Sequence, residues 1–254
     1  MLAAAILAPF TLRGIKRGEL KGRTLKMALL AGVIYAIHFG SWVTSLTLTT
    51  VAASVTLVTT NPIILALLGL ITGKDRPSRR IWYSIVLALI GLSLIGRSDL
   101  SASFDALLGD ALALVGAFAM ASYLLLARSL GEELNILAFS GVATLISGML
   151  LLFAALAANV PIEISSPEAF GYIVLAALLP QLIGHNILTW SLRYIKPTVV
   201  AMAIVGEPVF ATILSLLILG ETIATPVALG CLVTLSAVAI SVTEGTPSSE
   251  VSQL

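Results

Sequence analysis

The stretch Gly206–Glu221, GEPVFATILSLLILGE, decides the fold class. It places a carboxylate, Glu207, and a proline, Pro208, inside an apolar run long enough to cross a bilayer. A charge at that depth costs roughly 3 kcal/mol on insertion scales, so intramembrane carboxylates are rare and usually functional. Pro208 removes a backbone donor and weakens the helix where the carboxylate lies. The stretch therefore predicts a membrane-spanning helix that is interrupted at a functional point.

The composition of the whole chain agrees with a membrane protein. Of 254 residues, 58% are hydrophobic and only 11% are charged, whereas soluble domains carry roughly 25% charged residues. The net charge of +1 gives no reason to expect a nucleic-acid partner. The single cysteine, Cys231, lies in an apolar run and indicates a buried, inert thiol. The composition therefore predicts a protein that is embedded in a lipid bilayer.

Apolar segments near the length of a spanning helix, about 20 residues, recur along the chain. They lie at 27–48, 51–72, 81–96, 106–127, 136–157, 168–192, 198–219 and 225–243. Residues 2–12 form a further segment that is too short to cross a bilayer alone. The sequence therefore predicts an all-α, multi-span helical bundle with short connections.

The distribution of lysine and arginine predicts the orientation. If residues 13–26 are cytoplasmic, all of the 14 basic residues except Arg97 fall on the cytoplasmic side. Basic loops face the cytoplasm in membrane proteins. We therefore expect a multi-pass protein, in a bacterial cytoplasmic (inner) membrane, with a cytoplasmic C-terminal tail at 244–254.

The two halves of the chain carry related landmarks. Asn61-Pro62 in the first half matches Glu207-Pro208 in the second, and the matched flanking residues are Trp42 with Trp190 and Gly73 with Gly220. The 51–72 span runs inward and the 198–219 span runs outward, so the repeats are inverted. We predict two repeats, at 1–100 and 106–243.

The second repeat has five spans, and the first has three spans and the short segment at 2–12. An inverted pair requires an odd number of spans in each half, so Met1 is expected to be an internal start or a truncation that omits the first helix and part of the second.

These motifs resemble the drug/metabolite transporter superfamily, and within it the ten-span EamA-type transporters. The resemblance covers essentially the whole chain, and its strongest pieces are the stretches at 206–221 and 60–73 and the Gly109-Asp110 pair that opens the 106–127 span. The resemblance implies ten helices in two inverted five-helix repeats, a central cavity and cytoplasmic termini. It says almost nothing about the transported solute.

Two spans carry stripes of polar and aromatic residues that lipid would not favour. The first contains Tyr35, His38 and Trp42, and the second contains Gln181 and His185 with Asn186 and Trp190 adjoining. Such groups suit a small amphipathic solute, so all seven, together with Asn61, are candidates for a substrate cavity. The alternative is that the stripes only form hydrogen bonds between helices.

Glu207 is the candidate for coupling transport to an ion. A carboxyl group in a span can bind and release a proton as its surroundings alternate between lipid and water. The alternative is a structural role in bracing the kink at Pro208. Pro62, Pro180 and Pro208 are the predicted helix breaks. No cofactor is expected, and two histidines without a third ligand do not predict a metal site.

The sequence favours a secondary transporter that exports small metabolites or amino-acid-like solutes by alternating access. Protons are the candidate coupling ion. The absence of a phosphate-binding loop argues against a nucleotide-driven pump. One alternative is a truncated, non-transporting fragment that needs a partner chain. Another is an intramembrane enzyme, although the chain lacks catalytic motifs such as HExxH. Small residues in the last span, Gly230, Thr234, Ala237 and Ser241, suit close packing within the chain or in a homodimer.

Overall fold

A computed structural model describes residues 1–73, 77–95, 103–131, 134–164, 166–220 and 222–245, with side chains at all of these except 52, 211, 215, 219, 244 and 245. Arg97, Glu221 and residues 246–254 of the predicted cytoplasmic tail lie outside the described residues. Every regular element in the described part of the chain is a helix. The prediction of an all-α, multi-span membrane bundle is confirmed.

Twelve α-helices and two π-helical segments follow one another in the described ranges. The helices are α1 Leu2–Lys16, α2 Gly22–Leu48, α3 Val51–Val58, α4 Asn61–Thr72, α5 Arg79–Ile95, α6 Phe104–Arg128, α7 Ile136–Ala157, α8 Pro167–Ala176, α9 His185–Ser191, α10 Pro197–Ile204, α11 Glu207–Leu214 and α12 Thr225–Gly245. The π-helical segments are Ala177–Gly184, between α8 and α9, and Ser215–Leu219, after α11.

Seven helical stretches of the described chain are long and apolar enough to cross a membrane. They are Gly22–Leu48, Ala53–Thr72, Phe104–Arg128, Ile136–Ala157, Pro167–Ser191, Pro197–Ile218 and Thr225–Thr243. The eighth predicted span, 81–96, corresponds to α5, which has 17 described residues. That length is at the lower limit for a spanning helix. Helix α1, with 15 residues, is shorter than a span, as the sequence predicts.

The two matched spans are broken at matched places. The break between α3 and α4 falls at Thr59-Thr60, and Pro62 is the second residue of α4. The break between α10 and α11 falls at Val205-Gly206, and Pro208 is the second residue of α11. Proline fits the first turn of a helix because no donor is needed there. Each proline therefore begins a half-helix instead of kinking a continuous one.

A left-handed glycine ends each of these spans. Gly73 has a φ of 69° and caps α4, and Gly220 has a φ of 67° after the second π-helical segment. Residues with a Cβ rarely adopt this conformation, which terminates helices. The matched glycines in the sequence thus share one backbone conformation.

The chain divides into two compact units. The first unit comprises Met1–Gly40 and Ser122–Tyr194, and the second comprises Ser41–Ala121 and Ile195–Leu254. Each unit combines residues of both predicted repeats, and two of the unit boundaries fall inside α2 and α6. The compact units are therefore not the sequence repeats themselves.

In the first unit, α1 packs against α7. Gly14 lies over Ala138, where an added Cβ would come within 2.6 Å of the alanine Cβ.

Arginine side chains connect the ends of neighbouring helices in this unit. Arg128, the last residue of α6, donates to the carbonyl oxygens of Leu192 and Arg193, and Arg193 donates to that of Leu134. The bonds to Leu192 and Arg193 satisfy carbonyls that the C-terminal end of α9 leaves without a partner.

In the second unit, α5 packs against α12, and α10 packs against α4 and α12. The core contains Ile81, Ile85, Ala88 and Leu92 of α5 with Met202 and Val205 near the end of α10. Thr234, Ala237 and Ser241 of α12 are fully buried. The small-residue face of the last span is therefore used for packing within the chain.

Candidate functional site

The first unit contains a group of contacting rings, which we call the aromatic cluster: Tyr35, His38 and Phe39 of α2, Tyr123 of α6, Phe139 of α7 and His185 of α9. Tyr35 stacks on Tyr123 with 4.1 Å between ring centroids. The ring of His185 lies edge-on to Tyr35 and to Phe39, at 5.5 Å from each. Aromatic pairs at these distances stabilise one another beyond simple burial. The structure thus brings together Tyr35, His38 and His185 of the predicted candidates.

Two hydroxyl groups connect Tyr123 of α6 to α9. The Tyr123 and Thr189 hydroxyl oxygens are 2.8 Å apart, and the Thr189 hydroxyl donates to the carbonyl oxygen of His185 at 2.8 Å. Tyr35 and Tyr123 are each 1% exposed, so burial makes such bonds important. Tyr123 therefore fixes the position of α9 relative to α6.

The π-helical turn at Pro180 positions His185. The Nδ1 atom of His185 is 2.9 Å from the carbonyl oxygen of Pro180, which also accepts the backbone N–H of His185. A π-helical turn bonds residue i to i+5 and often occurs at functional sites. The predicted break at Pro180 is thus a widened turn, and it holds the imidazole ring in one orientation.

Gln181 lies on a polar face of the same unit. Its side-chain amide donates to the Thr144 hydroxyl at 3.3 Å. Thr144 shares the buried face of α7 with Ser140 and Ser147. These three residues repeat at helical spacing, so α7 presents a row of hydroxyl groups to its neighbours.

Asn186 and Trp190 do not belong to the aromatic cluster. They line an open groove of about 290 Å³ together with Ile136, Leu137, Leu182, Ile183 and Ile187. The Asn186 side-chain amide donates to the carbonyl oxygen of Leu182 at 2.6 Å, and the Trp190 ring packs edge-on against Tyr194 at 5.2 Å. The sequence stripe therefore divides into two sites within this unit.

The remaining candidates, Trp42, Asn61 and Glu207, belong to the second unit. Asn61 is 1% exposed, and its Oδ1 atom has no hydrogen-bond partner. Glu207 occupies the matched position at the start of α11 but is exposed. Buried amide oxygens usually have a partner, so the two matched positions differ in both charge and environment.

The two helix breaks meet in the second unit. A small cavity of about 10 Å³ is lined by Thr59, Thr60 and Pro62 from the first break and by Val205 from the second. A cavity of this volume holds about one water molecule. Both prolines also lack the N–H group that would bond the carbonyl four residues earlier, at Val58 and Ile204. The two helix breaks therefore lie close together in this unit.

Among the described residues, no group of three or more histidine, cysteine, aspartate or glutamate side chains could hold a metal ion. Asp110, at the first turns of α6, has a buried Oδ1 atom without a hydrogen-bond partner. The described spans contain four carboxylates, Asp105, Asp110, Glu168 and Glu207, and Asp105 and Glu168 lie in the first turns of α6 and α8.

Sequence reasoning missed Phe39, Tyr123 and Phe139. Tyr123 and Phe139 lie in largely apolar spans, where an aromatic residue facing lipid gives the same pattern as one facing the interior. The predicted stripe on the second of the two spans does include Thr189, which follows Gln181 and His185 at i+8 and i+4. The structure places its hydroxyl group against that of Tyr123.

The EamA-like transporter family model matches residues 1–97 and 107–243. The chain belongs to this family, and its fold and family together define a membrane transporter of the drug/metabolite superfamily. A comparison with curated proteins found no match.

A solved crystal structure has a similar fold. It superposes with a TM-score of 0.79 and is 14% identical in sequence. The alignment covers 96% of this chain and 84% of the other. At this level of identity the similarity concerns the fold alone.

Proposed function

We propose that this protein is a secondary transporter that exports small amphipathic metabolites, such as amino-acid-like solutes, by alternating access, with Glu207 coupling transport to protons. Membership of the transporter family supports the general class. The aromatic cluster supports a solute with both apolar and hydrogen-bonding parts.

The observation that carries the proposal is the meeting of two proline-broken spans at one point. In secondary transporters, broken helices in corresponding positions of two repeats mark the substrate and ion sites. Here the breaks line one cavity, and each half-helix begins with a polar residue, Asn61 or Glu207. Half-helices can also move relative to one another more easily than a continuous helix can.

Glu207 suits proton coupling because it is a carboxyl group at a helix break within a span. Its charged form is favoured when water reaches it and disfavoured when lipid or protein excludes water. A cycle that exposes it alternately to the two sides of the membrane would bind a proton on one side and release it on the other.

The experiment uses the full chain in proteoliposomes loaded with a mixture of radiolabelled amines, amino acids and organic acids. Efflux is measured with and without a pH gradient. We expect efflux of at least one solute class and its acceleration by an inward proton gradient. No efflux above that of protein-free vesicles would contradict transport, and efflux that ignores the gradient would contradict coupling.

Glu207→Gln tests the residue itself, because glutamine keeps the volume and most hydrogen bonds but cannot titrate. We expect gradient-driven accumulation to be lost while downhill exchange continues. Glu163→Gln, an exposed carboxylate in the loop before α8, is the matched control and should behave as the unmodified protein does. Normal coupling in Glu207→Gln, combined with poor expression of Glu207→Leu, would leave Glu207 as a structural brace.

A further inference from the structure

The open groove of the first unit, which we call the α7–α9 groove, has a mostly apolar lining. Ile183, Ile187 and Trp190 line it, and each is about half exposed. Its one amide, Asn186, donates to the carbonyl oxygen of Leu182, and the Asn186 Oδ1 atom is buried. Most of the lining that remains accessible is therefore hydrocarbon, which suits an acyl chain better than a polar solute.

The groove ends beside an arginine. Ile136 is the first residue of α7 and Trp190 is next to the last residue of α9, so the groove reaches the ends of both helices. Arg193 follows Trp190 by three residues, and its guanidinium donates to the carbonyl oxygen of Leu134, two residues before Ile136. Its Nε atom has no hydrogen-bond partner. Since a guanidinium has five N–H donors, Arg193 retains donors for an anionic group at this end of the groove.

The connection between α1 and α2 is held against the same end. The side-chain amide of Asn135, the residue before α7, donates to the Glu19 carboxylate at 2.6 Å. Arg23 donates to the carbonyl oxygen of Ser129 at 3.4 Å. These contacts place the basic stretch 13–26 beside the beginning of α7.

The charges at this end are predominantly positive. The stretch 13–26 carries six lysine and arginine residues and one carboxylate. Arg128 and Arg193 add two positive charges, while Glu132 and Glu133, which lie outside the described residues, add two negative ones. Basic side chains thus outnumber carboxylates by eight to three. Such a surface attracts an anionic lipid headgroup more strongly than a zwitterionic one.

We infer that the first unit binds one anionic phospholipid, with an acyl chain in the α7–α9 groove and the phosphate at Arg193. The apolar groove matches the chain, and a guanidinium bonds phosphate oxygens in a planar fork. The rings of Trp190 and Tyr194, in contact at 5.2 Å, are of the amphipathic kind that lies at the headgroup level of a membrane. The inference goes beyond the proposed function, because it concerns a lipid that stays with the protein and not a solute that crosses the membrane.

Trp190 provides a local readout, because bromine atoms on an acyl chain quench the fluorescence of a tryptophan that the chain contacts. The test uses the full chain with Trp42→Phe and Trp82→Phe, which leaves Trp190 as the one tryptophan. The protein is reconstituted in phosphatidylcholine vesicles with increasing fractions of brominated phosphatidylglycerol or brominated phosphatidylcholine. We expect half-maximal quenching at an about fivefold lower fraction of the glycerol lipid, the factor that one basic side chain contributes near an anionic lipid. Equal fractions, a preference for phosphatidylcholine, or no quenching by either lipid would overturn the inference.

Arg193→Gln locates the headgroup in the same assay. Glutamine removes the charge and the planar fork but keeps a donor for the carbonyl oxygen of Leu134, so the preference for phosphatidylglycerol should disappear. Arg79→Gln is the matched control, because Arg79 is an exposed arginine at the beginning of α5, in the second unit. It should leave the preference unchanged. An unchanged preference in a folded Arg193→Gln protein, or an equal loss in both variants, would contradict binding at Arg193.

The unmodified protein gives a second measurement if Arg193→Gln does not fold. It is extracted in detergent from vesicles that contain equal amounts of phosphatidylglycerol and phosphatidylcholine, and the retained lipid is identified by native mass spectrometry. We expect one phosphatidylglycerol molecule per chain. Equal retention of the two lipids, or retention of neither, would show that contact with lipid is unselective and would overturn the inference.

Discussion

The backbones of α5 and α12 approach each other at Gly91 and Gly230, so that each glycine leaves no room for a side chain on the other. A Cβ added to Gly91 would lie 2.8 Å from the Gly230 carbonyl oxygen, and one added to Gly230 would lie 2.7 Å from that of Gly91. Two helices in a membrane approach this closely only through small residues. The second unit depends on this contact because α5 and α12 form its most extensive helix pair.

Gly91→Val or Gly230→Val should therefore destabilise the protein by about 1–3 kcal/mol, the usual cost of overpacking. Thermal unfolding in detergent, followed by size-exclusion chromatography, measures the loss. Gly171→Val is the control, because a Cβ at Gly171 in α8 meets nothing within 4 Å. An equal loss of stability at all three positions would mean that the close approach is not the cause.

Tyr35→Leu should reduce solute efflux at least tenfold, because it removes the ring that stacks on Tyr123 while keeping an apolar side chain of similar reach. Efflux from proteoliposomes measures the change, and chromatographic homogeneity shows whether the fold survives. Tyr172→Leu is the matched control, because Tyr172 is 72% exposed whereas Tyr35 is 1% exposed. Unchanged efflux by a folded Tyr35→Leu protein would leave the stripe on α2 with a purely structural role.

Arg128→Lys should lower the free energy of unfolding by about 1 kcal/mol, the typical net value of one hydrogen bond. Lysine keeps the charge that favours the cytoplasmic side but cannot bond two carbonyl groups with one planar fork. Arg13→Lys, at the exposed end of α1, should have little effect. Equal thermal stability of the two variants would show that the contacts to Leu192 and Arg193 contribute nothing.

Pro180→Ala should slow transport without lowering stability. Alanine restores a backbone donor, so the widened turn can tighten into an α-helix. That change would rotate His185 away from Pro180 and from Tyr35. Efflux and thermal unfolding measure the two quantities, and Pro167→Ala serves as the control because Pro167 is the first residue of α8. Normal efflux by Pro180→Ala would show that the π-helical turn is not required for the cycle.

The orientation predicted from lysine and arginine can be tested by labelling single cysteines in a Cys231→Ala background. A membrane-impermeant maleimide added to intact cells should label a cysteine at Glu163 and spare one at Ser129. Both positions are exposed ends of connections between spans. Labelling at Ser129 alone would reverse the predicted topology.

The broken spans could be predicted from sequence because their causes are local. Pro62 and Pro208 disrupt a helix through their own missing N–H group, and Gly73 and Gly220 end one through their own φ angle. Composition likewise predicted the apolar spans. None of these features requires knowledge of which helices are neighbours.

The aromatic cluster could be predicted only in part. Tyr35, His38 and His185 were recognised because each belongs to a stripe of polar and aromatic residues on its span. Tyr123 and Phe139 belong to no such stripe, and their place in the cluster depends on which way α6 and α7 face. Asn186 and Trp190 follow His185 by one and five residues in α9. Residues one apart on a helix do not share a face, so their separation from the aromatic cluster follows once the direction in which His185 faces is known.

The half-helix α10 has eight residues, and α11 has eight that are continued by five π-helical residues, so the two halves are about 12 and 20 Å long. Neither could cross a bilayer by itself, because both are shorter than a hydrocarbon core of about 30 Å. The cell's insertion machinery must therefore accept Pro197–Ile218 as one segment, on its summed apolar character. The break between the two halves then forms afterwards, when neighbouring helices are present to stabilise it. Insertion of this span into the membrane and formation of its central break are therefore separate steps of biogenesis.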